Sequence, residues 1–183
     1  MKVYLVGSHS SGKSTLARYI SQKYNIPMIV EVARQVLSEQ ELQLDSLRYD
    51  LNIVDSYQKE VFYRQLQEET KYTSFVSDRS FDNLAYAAQH SRILPELINS
   101  KELKEYVKCL KKSDSYIFFV RPSKATLKAD GVRETLKWDG IIAIDAMVKF
   151  LVEMFELPHI QINMHNMQER VKLIDTVLSK VNM

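Results

Sequence analysis

Near the start of the chain, Gly7-Ser8-His9-Ser10-Ser11-Gly12-Lys13-Ser14 has the spacing G-x-x-x-x-G-K-[ST]. Chemistry explains that spacing. Glycines at both ends let the backbone wrap a phosphate with several N–H groups pointing inward. Gly7, Ser10, Ser11 and Gly12 supply this cradle, and a helix opening near Lys13 adds its positive dipole end. Lys13 is expected to reach the β- and γ-phosphates of ATP. The Ser14 hydroxyl is expected to coordinate Mg2+, and Thr15 to touch the α-phosphate. His9 occupies a variable position and is read as a solvent-facing loop side chain.

Two acids follow apolar runs that read as strands. Glu31 ends Pro27 to Val30, and Asp78 ends Thr73 to Ser77. Open parallel sheets bind ligands beyond the carboxyl ends of their strands, so both acids are expected beside the phosphate loop. Glu31 can accept a proton from an attacking hydroxyl, hold Mg2+ through water, or cap a helix. Asp78 is expected to organise the Mg2+ shell, sharing the metal with Ser14. Arg79 follows it, where an ATP-hydrolysing chain often carries a second acid to activate water. A cation there can hold an acceptor's phosphate or hydroxyl, which favours transfer over hydrolysis. Arg34 is a weaker candidate for the acceptor side, with Glu31 and Arg79. Asp82 reads as a helix-surface residue, and Tyr57, Phe81 and Tyr86 as core.

Between Arg121 and Lys137 the chain is polar and basic, with a turn at Asp130-Gly131-Val132-Arg133. A cationic flap there, about residues 122–137, would stabilise the transferring phosphate and exclude water. Arg133 is the first choice for its cation, then Arg121 and Lys128. Trp138 is read as an anchor into the core, Cys109 as a small core residue, and the lysines between 101 and 111 as a solvated helix face.

These residues need elements to position them. Lys2 to Val6 reads as a buried strand and Lys13 to Tyr24 as a helix. Val32 to Glu39 can be helical, and Arg48 to Thr70 and Ser80 to His90 have helical periodicity. Pro95 marks a break, and a helix carrying Leu103, Tyr106, Val107 and Leu110 follows. Tyr116 to Val120 is a strong strand, Trp138 to Leu157 an apolar helix, His159 to Ile162 a weaker strand and Met167 to Val181 a closing amphipathic helix. Strands alternating with helices predict an α/β fold, a three-layer α/β/α sandwich with a parallel sheet of about five strands, and the G-x-x-x-x-G-K-[ST] loop after the first strand points to its P-loop NTPase form. Residues 1–183 are expected to form a single domain.

Composition narrows the class. Lys plus Arg total 25 and Asp plus Glu 23, a formal net charge of +2, which disfavours a long polyanion groove. The lone cysteine, Cys109, permits neither an intrachain disulfide nor a cysteine zinc site. No apolar run reaches the roughly 18 residues of a membrane span. The N-terminal apolar run is too short for a signal peptide, so a cytoplasmic location is expected.

The loop, Glu31-Val-Ala-Arg34, Asp78-Arg-Ser80 and Asp130-Gly-Val-Arg133 together resemble the NadR-like (nicotinamide riboside kinase-like) AAA-type P-loop kinases, many of whose relatives are phage-encoded nucleotide kinases. The likeness runs over nearly the whole chain in the same motif order. It implies a five-stranded parallel core, ATP with Mg2+, a nucleoside-like acceptor and, for a phage protein, the host cytoplasm. Deoxynucleoside kinases are similar in two details: a catalytic Glu after the second strand, matched by Glu31, and an acid-Arg-Ser triplet after the third, matched by Asp78-Arg79-Ser80. NadR-type loops usually carry an acid where His9 stands. The expected activity is therefore an ATP- and Mg2+-dependent phosphotransferase acting on a nucleoside or nucleoside monophosphate. A nucleic-acid end or base kinase and a P-loop ATPase without a small-molecule acceptor are the alternatives.

Overall fold

The computed structural model describes residues 1–30, 32–39, 50–124 and 138–179. Five parallel strands, β1 (Lys2–Val6), β2 (Met28–Ile29), β3 (Phe75–Asp78), β4 (Ser115–Val120) and β5 (Ile160–Ile162), stand in the order β2-β3-β1-β4-β5. The helices are α1 (Lys13–Tyr24), α2 (Val32–Glu39), α3 (Leu51–Thr70), α4 (Asn83–His90), α5 (Leu94–Asn99), α6 (Lys101–Leu110), α7 (Trp138–Met154) and α8 (Met167–Leu178).

Central strands read as continuous apolar runs because both sheet faces are covered. Successive side chains point to opposite faces. In β1, Val3 and Leu5 join Leu16, Ile20, Ile174 and Leu178 beneath α1 and α8. Tyr4 and Val6 face the other way, into a larger core with Val61, Phe62, Leu84, Leu103 and Val148. Phe118 and Val120 of β4 join the first core, Ile117 and Phe119 the second. The result is the expected three-layer sandwich.

Element ends follow local chemistry. Asp50 caps α3 by accepting from the N–H groups of Asn52 and Ile53, and Ser100 caps α6 by accepting from Leu103 N–H. Asn25, left-handed at φ 50°, ends α1. Several boundaries depart from the sequence reading by one to three residues, and three of the departures have a clear local cause. Asp78 is the last residue of β3 rather than the residue after it. The helix expected from Ser80 starts at Asn83, since Ser80 to Asp82 forms a turn closed by Asn83 N–H to Ser80 C=O at 3.1 Å. The helix expected to reach Leu157 stops at Met154, because Glu156 adopts φ 50° and Leu157 N–H returns to Val152 C=O at 3.0 Å. Residues 48–49, 180–181 and most of the proposed flap lie outside the described residues.

Among the described residues no helix is long and apolar enough to cross a membrane. Lys101, Lys104, Lys108 and Lys111 are exposed, as a solvated face requires.

Candidate active site

The carboxyl ends of β1, β3 and β4 converge on the phosphate loop. Gly7 follows β1 at φ +138°, and a Cβ there would stand 2.4 Å from the Val120 carbonyl oxygen. Only glycine lets the chain turn this close to β4. Gly12, at φ +93°, sits at the start of α1, where a Cβ would meet Arg170 Nη1 at 3.2 Å. Ser10 also takes a left-handed conformation, φ 58°. Between them the backbone curls tightly enough for Lys13, 4% exposed, to donate to Ser8 C=O at 2.6 Å and Ser11 Oγ at 3.3 Å. Ser14 is half-buried and Thr15 exposed in the first turn of α1. Ser8 Oγ is buried with no partner among the described residues, a polar group suited to a bound anion.

Beside the loop, Asp78 pairs in register with Leu5 of β1 and is buried. Arg79 comes next, buried and at φ 119°, outside the region that non-glycine residues favour. Its guanidinium lies 4.7 Å from the centroid of the Tyr86 ring, over the face. Nη1 reaches Asp82 Oδ2 at 3.4 Å.

Asp82 overturns its reading as a surface residue. It is 0% exposed. Oδ1 accepts from Ser80 N–H at 2.6 Å, and Oδ2 accepts from Gly7 N–H at 3.2 Å as well as from Arg79. One carboxylate therefore ties the first residue of the phosphate loop to the turn carrying Arg79. Burial pushes its pKa up, against the opposing pull of Arg79, Lys13 and the two N–H groups.

His9 is also corrected. It is 8% exposed rather than solvent-facing. Its backbone N–H donates to Tyr86 Oη at 3.0 Å, and its Nδ1 lies 3.0 Å from the same oxygen. Tyr86 is half-buried: it packs against the larger core, as expected, and also joins loop and turn through its hydroxyl and ring. Phe81 and Tyr57 are core residues as expected.

Arg121 is not a flap cation in this structure. It donates from Nε and Nη2 to both oxygens of Asp145 in α7, at 2.9 and 2.5 Å, and packs over Phe119. Trp138 is half-buried rather than a core anchor, with Lys124 Nζ 5.5 Å from its ring centroid. Cys109 is half-buried. Arg34 is exposed on α2. Glu31, Lys128 and Arg133 lie outside the described residues.

Two further features escaped the sequence reading. Arg170 of α8 is wholly buried behind the loop, donating to Ser11 C=O at 2.5 Å and Met164 C=O at 2.6 Å. Its signal was a cation on the apolar stripe, four residues before Ile174. Behind the Arg79 turn lies a polar chain. Glu69 Oε1 accepts from Tyr106 Oη at 2.5 Å and Gln65 Nε2 at 2.8 Å. Gln65 Nε2 also reaches Ser77 Oγ at 3.0 Å and Arg79 C=O at 3.4 Å, and Ser80 Oγ lies 2.6 Å from Tyr106 Oη. Gln65 and Glu69 continue the four-residue spacing of Tyr57 and Val61, so polar residues at core positions were the signal.

Burial pushes Glu69 up to about 7, against hydrogen bonds from Tyr106, Gln65 and Tyr4 and the charge of Lys2. The folded chain thus holds this proton more tightly than the unfolded chain, whose carboxyl titrates near 4.5. The contribution to stability is full below the unfolded value and is lost as pH rises through the folded one. Between pH 5 and 8 the wild-type chain is expected to lose ~3 kcal/mol relative to Glu69→Gln. Urea unfolding of both proteins at the two pH values checks this, and parallel pH dependences would contradict it.

A family model described as AAA domain matches residues 2–170. No curated protein matches the chain. Among solved structures, NadR protein in complex with NAD and AMP-PNP superposes with a TM-score of 0.71 at 15% identity, covering 100% of this chain and 49% of that one. Deoxyadenosine kinase from M. mycoides gives 0.66 at 14%, covering 98% and 100%. Shikimate kinase from Aquifex aeolicus gives 0.59 at 18%, covering 100% and 99%. The chain spans about half the length of NadR. At these identities the likeness is one of fold.

Proposed function

The chain belongs to the AAA domain family, and from that membership we propose that it is an ATP- and Mg2+-dependent phosphotransferase, moving the γ-phosphate to a nucleoside or nucleoside monophosphate. One observation carries the reading. A buried cation, Arg79, directly follows the strand-end acid Asp78 and shares Asp82 with the phosphate loop. An acid at that position could activate water. A guanidinium instead binds phosphate oxygens through several donors.

In this reading Gly7, Ser10, Ser11, Gly12, Lys13, Ser14 and Thr15 hold the triphosphate. The cradle fits such a group: Gly7 leaves no room for a Cβ, Gly12 holds a positive φ that disfavours one, and Ser8 Oγ is buried without a partner among the described residues. Ser14 and Asp78 offer a hydroxyl and a carboxylate, the hard oxygen donors that Mg2+ takes sparingly. Mg2+ held there would supply positive charge to offset that of the triphosphate. Arg79 and Arg34 hold the acceptor. Glu31 orients or deprotonates its hydroxyl if it is a nucleoside, and an acceptor that already carries a phosphate needs no strong base. Arg133 serves the flap, about residues 122–137, within a single domain of residues 1–183.

Deoxyadenosine kinase and NadR act on or bind nucleoside-like molecules by their names and complexes, which supports a nucleoside-like acceptor here. The NadR-like assignment belongs to this proposal, with His9 in the usual acidic position turning it toward nucleosides and monophosphates. So does a cytoplasmic setting.

The test is a phosphate-transfer screen with ATP and Mg2+ over nucleosides, nucleoside monophosphates, nicotinamide riboside and oligonucleotides. Transfer to a nucleoside or monophosphate is expected. Transfer confined to oligonucleotides, or rapid ATP hydrolysis without any acceptor, would overturn the proposal.

A further inference from the structure

The phosphate loop accounts for Lys13, Arg79 and Asp82. It does not account for the carboxylate buried behind them. Glu69 sits near the C-terminal end of α3 and is buried. Nothing about a sandwich core requires a carboxylate there, and an apolar side chain of similar volume would avoid the desolvation cost. What Glu69 touches is more informative.

While Glu69 is ionised it can only accept hydrogen bonds. Tyr106 has one hydroxyl proton and gives it to Glu69 Oε1 at 2.5 Å. Over the 2.6 Å between Ser80 Oγ and Tyr106 Oη, Ser80 must then be the donor. The chain of donation runs from Ser80 to Tyr106 to Glu69. A second branch runs through Gln65, whose amide spans Glu69, Ser77 and the Arg79 carbonyl. Both branches end on the turn Asp78-Arg79-Ser80. That turn carries Arg79 at φ 119°, a strained conformation for a residue with a Cβ. Strained backbone persists only where its surroundings over-determine it. Asp82 grips the turn from the loop side, through Ser80 N–H. The Glu69 branches grip it through other atoms, Ser80 Oγ and the Arg79 carbonyl.

We propose that Glu69 is a positioning residue for Arg79: acting through Tyr106 and Gln65, it holds the Asp78-Arg79-Ser80 turn and so fixes the guanidinium beside the phosphate loop. Its effect on rate rests on the phosphotransferase reading, whereas its effect on the turn does not.

The groups facing Glu69 are Lys2 and Tyr4 from β1, Gln65 on its own helix and Tyr106 from α6. Cys109 and Asp114 act in turn on Tyr4. Burial leaves Glu69 poised to change charge near neutrality, at about 7. A protonated Glu69 is itself a donor, so one tyrosine proton facing it must turn away, and Tyr106 can turn its own back to Ser80. Ser80 keeps its contact with Tyr106 in either direction, but an ionised Glu69 accepts charge-assisted hydrogen bonds from Tyr106 and Gln65, about twice as strong as neutral ones, so the hold on the turn is tightest then. Turnover therefore rises with pH through neutrality, over the range in which stability falls.

The test uses Glu69→Gln and Tyr106→Phe in the full chain. Transfer from ATP with Mg2+ is measured to deoxyadenosine and to deoxyadenosine monophosphate, and amide hydrogen exchange is followed over residues 77–83. Both variants are expected to lose about tenfold or more in kcat while KM for ATP stays within about twofold. Exchange at Arg79 and Ser80 is expected to quicken about tenfold with the loop amides unchanged. The wild-type kcat is expected to rise with pH through an inflection near 7 that Glu69→Gln lacks. Unchanged kcat and exchange in both variants would overturn the proposal, as would KM for ATP rising in step with the loss of kcat. Tyr106→Phe removes a single hydroxyl, so it decides the matter should Glu69→Gln fail to fold. A wild-type chain that transfers to neither probe counts against the phosphotransferase reading alone, and the exchange measurement then decides whether Glu69 holds the turn.

Discussion

Replacing Lys13 with alanine is expected to lower phosphate transfer at least about 10³-fold while leaving the fold intact, the scale seen when a transition-state charge partner is removed. Lys13 stands at the first residue of α1, where the helix dipole and the loop N–H groups already favour an anion. Lys13 is 4% exposed, and its ammonium is turned into the loop, on Ser8 C=O and Ser11 Oγ. A phosphate entering the loop offers the ammonium anionic oxygens in place of a neutral carbonyl, and charge-assisted hydrogen bonds are about twice as strong as neutral ones. The variant loses that cation just where negative charge is redistributed during transfer. Lys13→Arg is expected to rescue little, because a planar fork does not fit a loop shaped around a compact ammonium. Initial rates with saturating acceptor, together with circular dichroism to confirm folding, decide the outcome. Undiminished transfer by Lys13→Ala would remove the phosphate loop from the reaction.

Much of this architecture can be read from local pattern. The apolar run Tyr116 to Val120 predicts a strand buried on both faces, and Ile117 and Phe119 do face one core while Phe118 and Val120 face the other. The glycine-lysine spacing predicts a loop between a strand and a helix, and Gly7 and Gly12 have the positive φ that such a loop needs. Asp82, Arg170 and Glu69 were out of reach for one shared reason. Periodicity tells which face of a helix is buried, but not which polar group from elsewhere meets a polar residue on that face. Asp82 accepts from Gly7 across 75 residues of sequence, and Arg170 donates to Ser11 across 159. Arg121 failed differently. Its sequence neighbours are basic and suggest a flap, whereas its partner Asp145 lies 24 residues on, buried in α7. A charge run near a binding loop thus identifies cations without saying which of them are already engaged.

The same long-range pairing makes Asp82 the residue whose loss is expected to cost the most stability. Asp82→Ala leaves three donors behind: Gly7 N–H, Ser80 N–H and one arm of Arg79. Arg79 is itself 4% exposed, so water does not readily replace the carboxylate. Removing one partner of a buried ion pair typically costs about 3–5 kcal/mol, chiefly because the other charge stays buried. Sharing Oδ2 with the Gly7 N–H places the variant in that range, although Arg79 contacts it only at 3.4 Å. At about 2–4 °C per kcal/mol for a chain of this size, a melting temperature lower by roughly 10 °C is expected. Asp82→Asn should fall between wild type and alanine, because its carbonyl oxygen still accepts one N–H while its amide meets a donor where Oδ2 accepted. Nucleotide binding should weaken together with stability, since the Gly7 N–H anchors the start of the loop. That coupling separates Asp82 from Lys13, whose loss removes charge from the phosphates without unfastening the loop. Thermal unfolding and ATP-analogue titration on the three proteins check both halves. An Asp82→Ala chain that melts like wild type and binds nucleotide equally well would show that the loop and the Arg79 turn stand without the carboxylate between them.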